Sequence, residues 1–225
     1  MKNDLKMMDF EKMGLYYKIM VIGGKNVGKT QILKRFCKEK FDENYSPTFG
    51  MDFRIQKVYD ERSKLTVKVQ LVEVSGKYVP PQELLREYII DADCFIGVYD
   101  ISSENTVKEL NNLVSYYEKI IPRDNKKQNW YFVGNKCDLR NREIPDKPSD
   151  IFGYTPLGCI GFIEVSAKDN RYINTMFNNV IFHEKNIKAW KMKDDNKFKP
   201  QVSKIKKEIK KPDIKIETKS KCLIF

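Results

Sequence analysis

The stretch Tyr17-Lys18-Ile19-Met20-Val21-Ile22-Gly23-Gly24-Lys25-Asn26-Val27-Gly28-Lys29-Thr30 decides how the rest of the chain is read. Ile19–Ile22 is a short apolar run of the kind that a strand buried on both faces requires. It leads into Gly23-x-x-x-x-Gly28-Lys29-Thr30, the glycine-rich pattern G-x-x-x-x-G-K-[ST]. Ile32, Leu33 and Phe36 follow at helical spacing, so strand, glycine loop and helix come in the order that gives the pattern its meaning. Glycine at 23 and 28 lets the backbone turn a row of N–H groups onto phosphate oxygens, and the next helix aims its positive end at the same anion. Lys29 then falls where it can reach the outer phosphates, and the Thr30 hydroxyl where it can ligate Mg2+.

A chain of 225 residues suits one domain with extensions. Its five cysteines (Cys37, Cys94, Cys137, Cys159 and Cys222) are scattered and odd in number, which argues against a disulfide framework and for a reducing compartment. Charged residues interrupt Met1–Tyr16, so no signal-peptide core is expected there, and no apolar run is long enough for a transmembrane helix. The formal net charge is +11 and unevenly spread. Lys193–Phe225 holds eleven lysines against five acidic residues, a net of +6 in a segment poor in aromatics. Such a tail suits an anionic membrane surface at least as well as a nucleic-acid groove, and no specific nucleic acid is expected as a partner.

Residues 1–16 read as an N-terminal extension, 17–192 as the folded domain, 193–221 as a basic flexible linker and 222–225 as a terminal box. Within the domain, Lys29–Lys40 reads as a helix whose wet side carries Lys34, Arg35, Lys38 and Glu39. Asp52–Tyr59 and Leu65–Val74 alternate apolar and polar residues around a charged turn, the pattern of an antiparallel hairpin. A helix opened by Pro81 and ending near Ile90 is expected next, then a strand over Cys94–Ile101 and a helix over Ser102–Ile121. Trp130–Val133 and Gly161–Val165 read as buried strands and Ile173–Met192 as a closing helix, while prolines and glycines break up Arg140–Gly158. The alternation predicts an α/β fold: a mostly parallel six-stranded sheet with one antiparallel hairpin and helices on both faces. Ligands of such sheets sit beyond the carboxyl ends of the strands.

Two further strand ends carry sequence of interest: Asn135-Lys136-Cys137-Asp138 and Ser166-Ala167-Lys168. Together with the phosphate loop, and in this order, they make the chain resemble a Ras-superfamily small GTPase over about Tyr17–Met192. The resemblance implies a P-loop NTPase G domain that binds GTP or GDP with Mg2+. It implies that Gly23, Gly24, Lys25, Asn26, Val27, Gly28, Lys29, Thr30 and Gln31 surround the phosphates. It places Asp138 on the guanine N1–H and N2–H, Asn135 between the loops, the stem of Lys136 over the base, and the Ala167 N–H at O6 with Ser166 and Lys168 beside it. Adenine lacks the donor pair that Asp138 needs, and an unpaired buried carboxylate costs roughly 1–3 kcal/mol or more. Phe41 holds the position of the aromatic that the family sets over the base; a residue closing the first helix is the other reading. Tyr45-Ser46-Pro47-Thr48 looks like the first switch loop, with Thr48 giving Mg2+ a second hydroxyl in the GTP state. Phe49-Gly50-Met51-Asp52-Phe53 is similar to the Rab version of that loop.

The resemblance breaks at the second switch loop. Where the family reads Asp-Thr-Ala-Gly-Gln, this chain has Glu73-Val74-Ser75-Gly76-Lys77. Glu73 keeps the carboxylate that holds Mg2+ through water, one methylene longer, and Gly76 keeps the N–H that senses the γ-phosphate. Lys77 replaces the glutamine that orients the attacking water; an ammonium has three donors and no acceptor. Lys25 stands where many members keep glycine to admit an activating protein's arginine finger. With Lys29, Thr48, Gly76 and Lys77 in the catalytic positions, slow hydrolysis is expected; the converse, that Lys25 or Lys77 supplies positive charge in cis, stays open.

Cys222-Leu223-Ile224-Phe225 fits the C-a-a-X box, with Phe last pointing to geranylgeranylation of Cys222, and one lipid needs a second signal such as the basic tail. The expectation is a lipid-anchored switch on the cytoplasmic face of a membrane, acting in vesicle traffic or signalling. Its expected partners are effectors, exchange factors and GTPase-activating proteins. The alternatives are a non-hydrolysing scaffold held in the GTP state and a nucleic-acid-binding protein led by its tail.

Overall fold

In the computed structural model, which describes residues 15–43, 47–77, 82–120, 129–139, 141, 143, 158–184, 186–188 and 190, the opening apolar run lies in strand β1 (Leu15–Ile22). It is followed by α1 (Lys29–Phe36), β2 (Met51–Asp60), β3 (Leu65–Val74), α2 (Gln82–Ile90) and β4 (Cys94–Asp100). Then come α3 (Glu104–Ile120), β5 (Asn129–Asn135), β6 (Cys159–Glu164) and α4 (Ile173–Ile181). Among the described residues the strands form one six-stranded sheet in the order β2-β3-β1-β4-β5-β6. β2 and β3 pair antiparallel and the other neighbours parallel, so the predicted α/β fold is the observed one.

The buried strands carry apolar residues on both faces, as a sheet covered on both sides requires. Ile19 and Val21 of β1, with Cys94, Ile96 and Val98 of β4, face the helices α1 and α4. Met20 and Ile22, with Phe95 and Tyr99, face α2 and α3. Phe36 stacks on Phe177 at 3.8 Å between ring centroids, joining α1 to α4. From β1 the chain moves outward to β2 and β3, then returns to β4 on the other side. The loop after β1 therefore opens where the strand order reverses, and the parallel strands bring their carboxyl ends to the same edge.

Several element ends differ from expectation, for local reasons. β1 begins at Leu15, inside the stretch read as an extension. α1 stops at Phe36 rather than Lys40, because Lys38 adopts a left-handed backbone (φ 62°) and the Glu39 N–H turns back to the Lys34 carbonyl. α3 covers Glu104–Ile120; of the face expected from Val107, Leu110, Leu113 and Val114, three are buried and Leu113 is half-buried against the same core. The closing helix breaks after Ile181: the Asn186 side-chain amide donates to the Val180 and Ile181 carbonyls at 3.0 and 3.1 Å, satisfying the helix end. Helical backbone recurs at 184, 186–188 and 190; Ile187, expected on the core face of the closing helix, is half-buried, while Trp190 is buried and packs edge-on against Tyr17. Pro81, most of 140–158 and everything beyond Trp190 lie outside the described residues. Among the described residues no helix is long and apolar enough to cross a membrane.

Candidate functional site

Strand β1 delivers the chain into the glycine loop, and at Gly28 the backbone turns left-handed (φ 93°) before α1 begins. A Cβ there would lie 2.2 Å from the Asn135 amide nitrogen, so only glycine fits. Lys29 is buried, and its ammonium donates to the Gly23 and Gly24 carbonyls at 2.9 and 2.7 Å. Burial lowers its pKa to about 8, against the opposing pull of Glu73 and Glu109. Glu109 reaches the loop from α3, its carboxylate lying over the Gly24 Cα.

The loops after α1 and β3 meet at one corner of the site. The Thr30 hydroxyl donates to Glu73 Oε1 at 2.5 Å, the Thr48 hydroxyl lies 3.3 Å from the same oxygen, and the two hydroxyls are 3.2 Å apart. Glu73 is 1% exposed, burial holds its carboxyl above the ordinary range, and Oε2 has no hydrogen-bond partner in the structure. One carboxylate and two hydroxyls, with a buried oxygen left unsatisfied, make a hard oxygen donor set that fits Mg2+. Ser75 ties the two switch segments together: its hydroxyl donates to the Thr48 carbonyl at 2.7 Å and its N–H to the Gly50 carbonyl at 2.9 Å. Gly76 sits against the phosphate loop so closely that a Cβ would lie 2.4 Å from the Gly24 carbonyl carbon.

At the opposite side the ends of β5 and β6 build a second network. Asn135, buried, donates to the Val27 carbonyl at 2.8 Å and accepts from the Ala167 N–H at 3.1 Å, joining three loops. The Ala167 N–H expected at the base is thus engaged by Asn135. Ser166 donates to Asp138 Oδ1 at 2.6 Å and accepts from the Asp169 N–H at 3.0 Å, which fixes the aspartate. Lys136, at φ 69°, sends its ammonium to Asp100 Oδ2 at 2.5 Å, while Ser102 holds the other Asp100 oxygen through its N–H and hydroxyl.

These groups surround an open cavity of about 660 Å3. Of the predicted residues, Asn26, Gly28, Lys29, Thr30, Gln31, Phe41, Thr48, Gly76, Lys77, Asn135, Lys136, Asp138, Ala167 and Lys168 line it. Val27, Glu73 and Ser166 are buried and act from behind the wall through the hydrogen bonds given above. Lys25 is exposed and is not among the lining residues; Tyr45 and Cys222 lie outside the described residues.

Sequence reasoning missed several participants. Arg35, read as part of the wet side of α1, donates to the Ala167 carbonyl at 2.8 Å and the Lys168 carbonyl at 2.6 Å. Its guanidinium also sits 5.5 Å from the centre of the Phe41 ring, so one side chain links the base loop to the aromatic. Gln31 and Asp42 exchange two hydrogen bonds that anchor the start of the first switch segment. Asp100, Asp52 and Glu109 were also passed over. Asp100 directly follows an apolar strand and precedes two serines, a signal of a strand-end polar site that could have been read.

A profile of the Ras family matches residues 18–186. The chain belongs to the Ras family. Over 166 residues it is 34% identical to Ras-related protein RABD2a of Arabidopsis thaliana, a match covering 72% of this chain and 76% of that protein. It is therefore a Rab-like small GTPase with a P-loop G domain, and its family binds guanine nucleotide with Mg2+.

Proposed function

We propose that this chain is a membrane-attached GTP-binding switch of vesicle traffic or signalling that hydrolyses its nucleotide slowly. The reading rests on Lys77: it lines the cavity beside Gly76, at the position from which the family's glutamine orients the attacking water. Its ammonium can only donate. Asn135, Asp138 and Ala167 would receive the guanine, Lys29 the outer phosphates, and Thr30, Thr48 and Glu73 the magnesium. Bound Mg2+ supplies charge neutralisation between the phosphates. Thr48 and Gly76 would sense the γ-phosphate and present the changed surface to effectors; exchange factors would load GTP. The prenylation box at Cys222 and the basic tail would hold the switch on the cytoplasmic face of an anionic membrane.

Single-turnover hydrolysis of the wild type beside Lys77→Gln tests the reading. Restoring an acceptor should raise the rate about tenfold or more, equivalent to about 1.4 kcal/mol off the barrier. A second reading follows from the same side chain, since of the two unusual cations it is Lys77 that lines the cavity. There it could neutralise the γ-phosphate in cis, in which case Lys77→Gln lowers the rate. Chromatography of the nucleotide released from freshly purified protein gives the resting state: GTP fits crippled hydrolysis, GDP a turning cycle. Recovery of neither would refute the guanine site.

A further inference from the structure

We propose that Glu73 ligates the nucleotide's magnesium directly, displacing the water that a shorter aspartate would use. The inference rests on the nucleotide-switch reading above and concerns how this chain's own oxygens meet the ion. Glu73 Oε1, Thr30 Oγ1 and Thr48 Oγ1 form a triangle with edges of 2.5, 3.2 and 3.3 Å. Octahedral Mg2+ with bonds of ~2.1 Å sets neighbouring ligand atoms about 3.0 Å apart. Two edges come within about 0.3 Å of that spacing, and the third, the 2.5 Å hydrogen bond, would lengthen by about 0.5 Å, so three oxygens from the ends of three different segments approach one face of that octahedron. The extra methylene advances the carboxylate by about 1.5 Å, more than half of the ~2.7 Å hydrogen bond that a bridging water would otherwise add.

A second observation is independent of the triangle. Glu73 Oε2 is buried and has no hydrogen-bond partner among the described residues, although a buried carboxylate oxygen is costly to leave unmatched. Asp52 lies directly across the hairpin from Glu73, so the pair would repel. Arg54 takes Asp52 Oδ2 at 3.1 Å, and Glu73 feels the charges of Lys29 and Arg54 from further off. Glu73 is buried and tied to α1 through the Thr30 hydroxyl, so its Oε1 stands next to the oxygen that would meet the ion.

The test counts water on the metal. Full-length protein loaded with GDP and Mn2+ is compared with Glu73→Asp by electron paramagnetic resonance in 17O-enriched water. The wild type should carry one water fewer on Mn2+ than Glu73→Asp, and equal counts would overturn the proposal. Should the aspartate variant fail to fold, the wild type decides alone. With Thr30, one phosphate oxygen and Glu73 bound, three octahedral positions remain for water, whereas four waters would exclude direct ligation. Glu73→Gln should raise the Mg2+ concentration needed to retain GDP at least tenfold; an unchanged requirement would count against the proposal. A chain that holds no guanine nucleotide would overturn the switch reading and this inference together; a chain that holds it with four waters overturns the inference alone.

Discussion

On the guanine side of the cavity the loops bond to one another: Asn135 spans from Val27 to Ala167, Ser166 fixes Asp138, and Arg35 clasps two carbonyls of the base loop. In the metal corner the polar groups are left turned inward. Lys29 folds back onto its own loop's carbonyls, and Glu73 keeps a buried oxygen with no partner. Both regions stand on strand ends of the same sheet. The first is held together by its own hydrogen bonds; under the function proposed above, phosphate and metal would match the groups of the second. A preformed binding half beside a half completed by its ligand would suit the proposed switch, in which the second half is expected to change when the γ-phosphate leaves.

The largest expected effect comes from breaking the preformed half. Asn135→Ala removes two buried hydrogen bonds and strands a carbonyl and an N–H, a loss of about 3 kcal/mol or more. Release of a fluorescent GDP analogue should accelerate by roughly two orders of magnitude; a change within threefold would show that the three loops do not depend on one another. Gly76→Ala attacks the other half. Its Cβ would collide with the Gly24 carbonyl carbon and the Lys25 nitrogen at 2.4 and 2.6 Å, both backbone atoms, so the segment must retreat from the phosphate loop. Hydrolysis and GTP-dependent protection of 75–77 from hydrogen exchange should fall about tenfold, equivalent to about 1.4 kcal/mol, while GDP release stays near wild type. Equal damage to both would dissolve the division between the halves. The smallest effect is expected for Arg35→Lys, which keeps the charge and loses the fork to Ala167 and Lys168. GDP release should quicken about fivefold, in keeping with roughly 1 kcal/mol, and no change would mean that Phe41 and the base loop are held by other contacts.

Much of this was legible before any coordinates. The strand, glycine loop and helix from Tyr17, the hairpin around Asp60–Lys64, and the Asn135 and Ser166 motifs at successive strand ends all stand where the patterns place them. What escaped were helix ends and partners far apart in the sequence. Lys38 and Asn186 stop helices through a left-handed turn and a side-chain cap, in segments whose apolar spacing still reads as helix. Arg35 looked like one more solvated cation, because nothing near it in sequence marks a carbonyl pair more than a hundred residues away.

The sequence by itself determined the elements and the chemistry each loop offers, since strand periodicity, glycine freedom and motif spacing depend on residues that are neighbours in the chain. It also carried the expectation that Glu73, Lys77 and Lys25 depart from the family's pattern. Only the tertiary structure decided which of these groups meet. Placing β1 between β3 and β4 brings Thr30 and Glu73 within bonding distance, and the run of β4, β5 and β6 beside it brings Asn135 under the phosphate loop. Such encounters are set by the packing of both sheet faces, a long-range balance that no local stretch of sequence encodes.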